Sequence, residues 1–412
     1  PRPAPQPTPP TTAQLPDHHK TKTTPSTPNY AHTHPETRPA DKNALIPMMN
    51  GNDCELLIDG EPTFSSNFEG IEKAEDYILV QFYIVHSDEL GNELKSRLIA
   101  KASRGVRVFF LYDELGSIGL PSGYVDELRQ ADVQIAPFNT RKGKRNRFQL
   151  NFRNHRKIVV VDGKTAWIGG HNVGDEYLGK DPKIGKWRDT HVKIEGPAAL
   201  AAQLSFMEDY HWATNDVPEM SWSPTASELS DTSVLIIPSG PADEHETALL
   251  MFVHIINSAK QRIWLSSPYF VPDESILSAL TLAKLRGVDI RIIIPEMPDN
   301  KLMYYAAYDY FDELSGCGIE FYRYQDGFTH EKVVLVDDSL SAIGTANFDN
   351  RSFRLNFEIT ALIGDVGFTC ETEKMFEDGF SSSRKMQGGD YDNKPFWFKF
   401  AVRVCRLMSP VL

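Results

Sequence analysis

Residues His155–Asn172 read HRKIVVVDGKTAWIGGHN, and residues His330–Asn347 read HEKVVLVDDSLSAIGTAN. Histidine, lysine, aspartate, glycine and asparagine recur at the same spacing: His155, Lys157, Asp162, Gly169 and Asn172, then His330, Lys332, Asp337, Gly344 and Asn347. Residues i and i+2 of an extended chain point to one face, so each histidine can share a pocket with its lysine. The apolar runs Ile158–Val161 and Val333–Val336 predict a buried strand behind each pair. A second strand and a glycine turn would then return each asparagine to the same place. A lone histidine ahead of an apolar strand is usually a hydrogen-bonded packing residue. Packing gives no reason for a cation and an amide to be repeated at fixed distances beside two of them, so the pattern predicts two equivalent half-sites.

Outward from these motifs the duplication continues. YILVQFYIV (77–85) predicts a buried strand, ELKSRLIAKASRG (93–105) a helix closed by glycine, and VRVFFLYD (106–113) the next strand. After Ser258 the order returns as RIWLSSPYFV, ESILSALTLAKLRG and VDIRIIIP. Ala74, Ile78 and Asp88-Glu89 match Ala259, Ile263 and Asp273-Glu274, and Arg104-Gly105-Val106 matches Arg286-Gly287-Val288. Copies of this length mean two similar α/β domains, each a mixed sheet flanked by helices, rather than a solenoid of short units. The expected division is a Pro-rich tail over 1–42, a first domain over 43–220 and a second over 230–412, with the polar TNDVPEMSWSPTASELSD between the domains. The two domains should be pseudo-twofold related, with the active site between them.

Composition narrows the chemistry. A chain of 412 residues with 41% hydrophobic residues can bury two ordinary cores. A net charge of −13 argues against a general nucleic-acid binder, which needs a cationic excess. The scattered Cys54, Cys317, Cys370 and Cys405 have neither zinc spacing nor a disulfide pattern. No run is long and apolar enough to span a bilayer. Work at a membrane would then be peripheral, or would use an anchor upstream of Pro1.

The repeated H-x-K-x4-D-x6-G-[GT]-x-N resembles the paired motif of the phospholipase D superfamily. NFRNHRKIVVVDGKTAWIGGHNVGDEYLG, WRDTHVKIEGPA, PYFVPDE, RGVDIRIIIP and NFDNRSFRLNFE are similar to bacterial cardiolipin synthases, from about Asn52 to the terminal RLMSPVL. The resemblance implies a bacterial inner-membrane phosphatidyltransferase that condenses two phosphatidylglycerol molecules into cardiolipin and glycerol through a phosphohistidine. It also implies amino-terminal spanning helices, which these residues lack. Hydrolysis by a phospholipase D or nuclease, with water as acceptor, is the alternative.

On this reading His155 is the nucleophile and His330 the general acid and base. The halves are near-equivalent in sequence, and only the resemblance favours that order over the reverse. Lys157, Lys332, Asn172 and Asn347 would bind the phosphoryl oxygens, so that no metal or other cofactor is needed. Asp189 and Glu358, each at the start of a strand after the motif of its own half, are candidates to orient the histidines. Asp162 and Asp337 are expected to stabilise the half-sites. Arg153, Arg156 and Tyr269 are candidates for substrate contact. The basic residues Arg141, Lys142, Lys144, Arg145, Arg147, Arg153, Arg156 and Lys157 could gather anionic lipid, each contributing about 1 kcal/mol at such a surface, or could form a solvated loop. Near the end, Phe396, Phe400, Val404 and Leu407 share one helical face and Lys399, Arg403 and Arg406 another. That suits an interfacial helix, or one docked on the core, as amphipathic helices commonly are. Oligomeric state is not legible.

Overall fold

The computed structural model describes residues 47–138, 152–297 and 299–408. The Pro-rich segment 1–42 and the basic residues Arg141, Lys142, Lys144, Arg145 and Arg147 lie outside the described residues.

The first half contains β1 (Met49–Ile58), α1 (Gly60–Lys73), β2 (Tyr77–Phe82), α2 (Glu89–Ala102), β3 (Arg107–Asp113), α3 (Ser122–Gln130), β4 (Gln134–Phe138), β5 (Ile158–Val161), β6 (Thr165–Gly169), β7 (Thr190–Glu195) and α4 (Ala199–Thr214). The second contains β8 (Thr232–Ser239), α5 (Thr247–Ser258), β9 (Arg262–Ser266), α6 (Glu274–Leu285), β10 (Asp289–Pro295), α7 (Lys301–Ser315), β11 (Glu320–Tyr324), β12 (Val333–Val336), β13 (Leu340–Gly344), β14 (Asn356–Gly364), α8 (Val366–Ser381), β15 (Ser383–Lys385) and α9 (Phe396–Leu407). The residues repeated between the halves are the ones that delimit these elements. Asp88 and Asp273 cap α2 and α6, accepting from the N–H groups of Gly91 and Ser275. Gly105 and Gly287 follow those helices at φ +88° and +93°, which glycine adopts without a Cβ penalty.

All of these strands lie in one mixed sheet, ordered β4-β3-β2-β5-β6-β7-β1-β8-β14-β13-β12-β9-β10-β11-β15. Read outward from the β1/β8 seam, the order is the same on both sides as far as β4 and β11, as a pseudo-twofold duplication requires, and β15 extends the second side alone. The outer strands β2-β3-β4 and β9-β10-β11 are parallel, and the inner ones antiparallel. β1 bonds to β7 of its own half and to β8 of the other, so the halves are joined by backbone hydrogen bonds. Three cores follow. One lies under α1, α2 and α3, one under α5, α6, α7 and α9, and a third beneath α4 and α8 runs across both halves.

The terminal helix α9 differs from the docked reading in which face it buries. Phe398, Val402 and Cys405 pack against α7, whereas Phe396, Phe400 and Leu407 are 84%, 61% and 82% exposed.

Candidate active site

Each motif histidine is held by the opposite half. The short strand Arg153–Asn154 pairs in parallel with Asn356–Phe357 at the start of β14, and the His155 N–H donates to the Phe357 carbonyl at 2.9 Å. Reciprocally, Trp187–Arg188 pairs with Phe328–Thr329, and the His330 N–H donates to the Arg188 carbonyl at 2.7 Å. The residue after each pairing strand is a carboxylate, and the side chains complete the exchange. His155 Nδ1 lies 2.9 Å from Glu358 Oε2, and His330 Nδ1 lies 2.7 Å from Asp189 Oδ2. The two carboxylates named as candidates to orient the histidines lie against them across the halves rather than within them. With Nδ1–H given to a carboxylate, Nε2 is the nitrogen left for chemistry.

The lysines share these pockets. Lys157 Nζ donates to the His155 carbonyl at 2.7 Å, and Lys332 Nζ donates to the His330 carbonyl and lies 2.8 Å from His330 Nδ1. His155, Lys157, His330 and Lys332 are all buried. Burial lowers the pKa of His155, against the pull of Glu358 and with help from Lys157. It lowers His330 well below the usual histidine range, where Lys332, Lys157 and His155 add repulsion. Lys157 is lowered well below its ordinary value by burial. Lys332 falls to about 8 by burial, while Asp189 and Glu358 oppose the shift. Burial disfavours the Glu358 carboxylate, but His155 and Lys157 outweigh it and hold the carboxyl below its ordinary value. Lys157 and His155 of the first half thus repel a proton on His330 of the second, so the half-sites act as one electrostatic unit. A group of buried bases that suppress one another's protonation is relieved by an anion placed among them.

The asparagines differ. Asn172 Oδ1 accepts from the Ile84 N–H at 3.1 Å, and its Nδ2 donates to the Tyr177 hydroxyl at 3.4 Å. Asn347 donates its backbone N–H to Ser352 Oγ at 3.1 Å, and its buried Oδ1 has no partner among the described residues. Asp162 and Asp337 stand away from the histidines. Each takes φ near +50° and accepts backbone N–H groups, from Glu75, Asp76 and Tyr77 or from Lys260, Gln261 and Arg262. They fasten the hairpin after the motif strand to the start of β2 or β9.

Of the substrate-contact candidates, Arg156 is corrected. Its guanidinium is buried in an ion pair with Asp209 at 3.0 Å and in bonds to the carbonyls of Glu358, Ser205 and Ser239. It faces away from Lys157 because strand neighbours alternate, and it ties the first motif to β8, α4 and β14. Arg153 is half-buried and donates to the Phe152 carbonyl at 3.0 Å. Tyr269 donates its hydroxyl to Asp299.

Several residues near the site had no signal in the motif spacing. Tyr83 meets the His155 ring edge-on at 4.9 Å, and Trp187 lies 5.1 Å from the His330 ring. Asp349, two residues beyond Asn347, is buried, and its carboxyl is pushed up to about 6, mainly by burial. Gly174 stands at the equivalent first-half position, so comparing the repeats by difference as well as by identity would have exposed Asp349. His171 and His191 form a buried pair, Nδ1 to Nδ1 at 3.1 Å, each lowered to about 3 by burial. Ala346 and Thr360 replace them in the second half. Among the described residues no group of His, Cys, Asp and Glu could hold a metal ion.

The family described as "Cardiolipin synthase, PLD-like domain" matches residues 68–203 and 252–379. Proteins called cardiolipin synthase A are similar to the chain: one from Pseudomonas putida is 50% identical over 91% of this chain and 78% of its own length, and one from Pseudomonas entomophila is 49% identical with the same coverage. Among solved structures, phosphatidylserine synthase from Haemophilus influenzae is similar in fold, with a TM-score of 0.68, 18% identity, and 92% of this chain and all of that one covered.

Proposed function

The chain belongs to the cardiolipin synthase family with duplicated PLD-like domains, and from that premise we propose that it is a phosphatidyltransferase making cardiolipin and glycerol from two phosphatidylglycerol molecules. The observation that carries the mechanism is the reciprocal pairing of His155 with Glu358 and of His330 with Asp189.

His155 Nε2 attacks the phosphorus of the donor lipid. The bond from phosphorus to the head-group glycerol oxygen breaks, and His330 supplies the proton that oxygen needs to leave. Glu358 stabilises the positive charge that grows on His155 as it becomes phosphorylated. Lys157, Lys332 and the Asn347 amide stabilise the non-bridging oxygens as charge builds there. In the second step His330 takes the proton of a primary hydroxyl on the second phosphatidylglycerol, whose oxygen displaces His155 and yields cardiolipin. Burial, with Lys332 and Lys157 nearby, lowers the proton affinity of His330, and an anionic phosphodiester bound beside it favours the protonated, acid form. The lipid substrates place the reaction at an anionic membrane surface. Among the described residues no helix is long and apolar enough to cross a membrane.

The test is incubation of the full chain with phosphatidylglycerol vesicles in EDTA, beside His155→Ala and His330→Ala, with lipid products separated. Cardiolipin and glycerol from the wild type and neither from the variants is expected. Phosphatidic acid alone would make water the acceptor and overturn the synthase reading.

A further inference from the structure

Helix α9 carries two apolar faces. At about 100° per residue, Phe398, Val402 and Cys405 fall in one sector, and this sector is buried against α7. Phe396, Trp397, Phe400, Val404, Leu407 and Met408 fall in a different sector about 120° wide, and all six are exposed, from 41% for Met408 to 84% for Phe396. Lys399, Arg403 and Arg406 lie between the sectors on one side, and the helix contains no acid although the whole chain carries −13. Exposed aromatic and aliphatic side chains bordered by long cations form the pattern of a helix lying in a lipid interface, where rings enter the acyl boundary and the cations reach the head groups. Arg403 extends along this border, 64% exposed while paired with Asp309 at 2.8 Å, whereas Arg406 turns back onto Glu274, Asp309 and Glu313 and Lys399 donates to the Asp392 carbonyl.

The placement of α9 connects this face to the chemistry. Phe398 packs on Tyr305 and Tyr308 of α7 at 5.1 and 5.0 Å, so Phe396 and Trp397 lie toward the amino-terminal end of α7. That end begins just after Asp299, which accepts from Tyr269 and acts on Lys332 electrostatically. Met297 and Leu302, apolar and 48% and 42% exposed, flank Asp299 in the chain. We propose that the outer face of α9, with Met297 and Leu302, is a docking surface for an anionic phospholipid bilayer, oriented to let lipid reach the pocket without leaving the membrane. The proposal rests on the lipid-substrate reading of the active site.

The experiment compares the full chain with a Trp397→Ser, Phe400→Ser, Leu407→Ser triple variant. Binding is measured by flotation with vesicles of mixed phosphatidylglycerol and phosphatidylcholine, and with phosphatidylcholine alone. Cardiolipin formation is measured on the mixed vesicles and on short-chain phosphatidylglycerol below its micelle concentration. The variant is expected to lose roughly tenfold or more in vesicle binding and as much in vesicle activity, with short-chain activity unchanged. The wild type should bind phosphatidylcholine vesicles more weakly. Unchanged vesicle binding by the variant would overturn the proposal, and so would a switch from dimer to monomer with vesicle binding intact, which would assign the face to a second copy. Equal loss of short-chain activity would also overturn it. Wild-type vesicle binding that the variant loses, with no cardiolipin from either substrate, would uphold the docking surface and refute the phosphatidyltransferase reading instead.

Discussion

Replacing Glu358 by glutamine should disable His155, which lies 203 residues away in the chain, and leave His330 working. The carboxylate is fully buried and accepts from His155 Nδ1 at 2.9 Å, from Thr345 Oγ1 at 2.5 Å and from Asn356 Nδ2 at 3.0 Å. Glutamine keeps the shape but puts an NH2 group where an oxygen accepted, so the surrounding donors must rearrange or go unpaired, at a cost of about 1–3 kcal/mol. It also removes the negative charge that stabilises a phosphorylated imidazole, and a hydrogen bond to a charged group is worth about 1.5–3 kcal/mol. At about 1.4 kcal/mol per tenfold, kcat/KM should fall on the order of 10² to 10⁴. The assay is a burst experiment with an aryl phosphodiester, whose leaving group departs without a proton. Glu358→Gln and His155→Ala should give no burst. Asp189→Asn and His330→Ala should release about one equivalent and stall, because deprotonation of the acceptor is lost. If His330 is instead the nucleophile, the two phenotypes exchange while the pairs stay together. Variants that sort by half, with Glu358→Gln behaving like His330→Ala, would refute the exchange of carboxylates.

Three further outcomes follow from the geometry. Lys332 is protonated below a pKa of about 8 and neutral above it, so kcat/KM should decline above about pH 8, and Lys332→Arg should remove that limb of the pH profile; a limb that persists would refute the assignment. The sign for stability is separate: Lys332 is lowered from 10.5 in the fold, the unfolded chain binds the extra proton, and this lysine's contribution improves as pH rises from about 8 to 10.5. A Cβ on Gly170 would come within 2.1 Å of Asp189 Oδ1, so Gly170→Ala should shift Asp189 and cost roughly a hundredfold in kcat/KM; wild-type kinetics would show that the orientation of His330 tolerates the shift. Asp162→Ala removes the acceptor of three backbone N–H groups at a residue of φ +51°. It should lower unfolding free energy by about 2–3 kcal/mol by urea denaturation while turnover well below the melting temperature stays near wild type.

Much of the molecule was legible in the chain because duplication prints itself in local chemistry. The repeated aspartates at 88 and 273 are helix caps, the repeated glycines at 105 and 287 close those helices, and the apolar runs behind each histidine are buried strands. Periodicity and capping depend on neighbours a few residues apart, and a sequence contains those relations outright. The motif histidines, lysines and asparagines recur at one spacing for the same reason, and the two carboxylates were candidates from their place after each motif.

What only the tertiary structure decided is which carboxylate serves which histidine. That follows from two parallel two-residue pairings, Arg153–Asn154 with Asn356–Phe357 and Trp187–Arg188 with Phe328–Thr329. Neither is visible locally, since backbone pairing over such separations has no side-chain signature. The inward placement of Arg156 has the same origin, because its partners come from three remote elements. The face of α9 left outside was likewise settled by packing: both of its apolar sectors are written in the sequence, but α7 can cover only one of them.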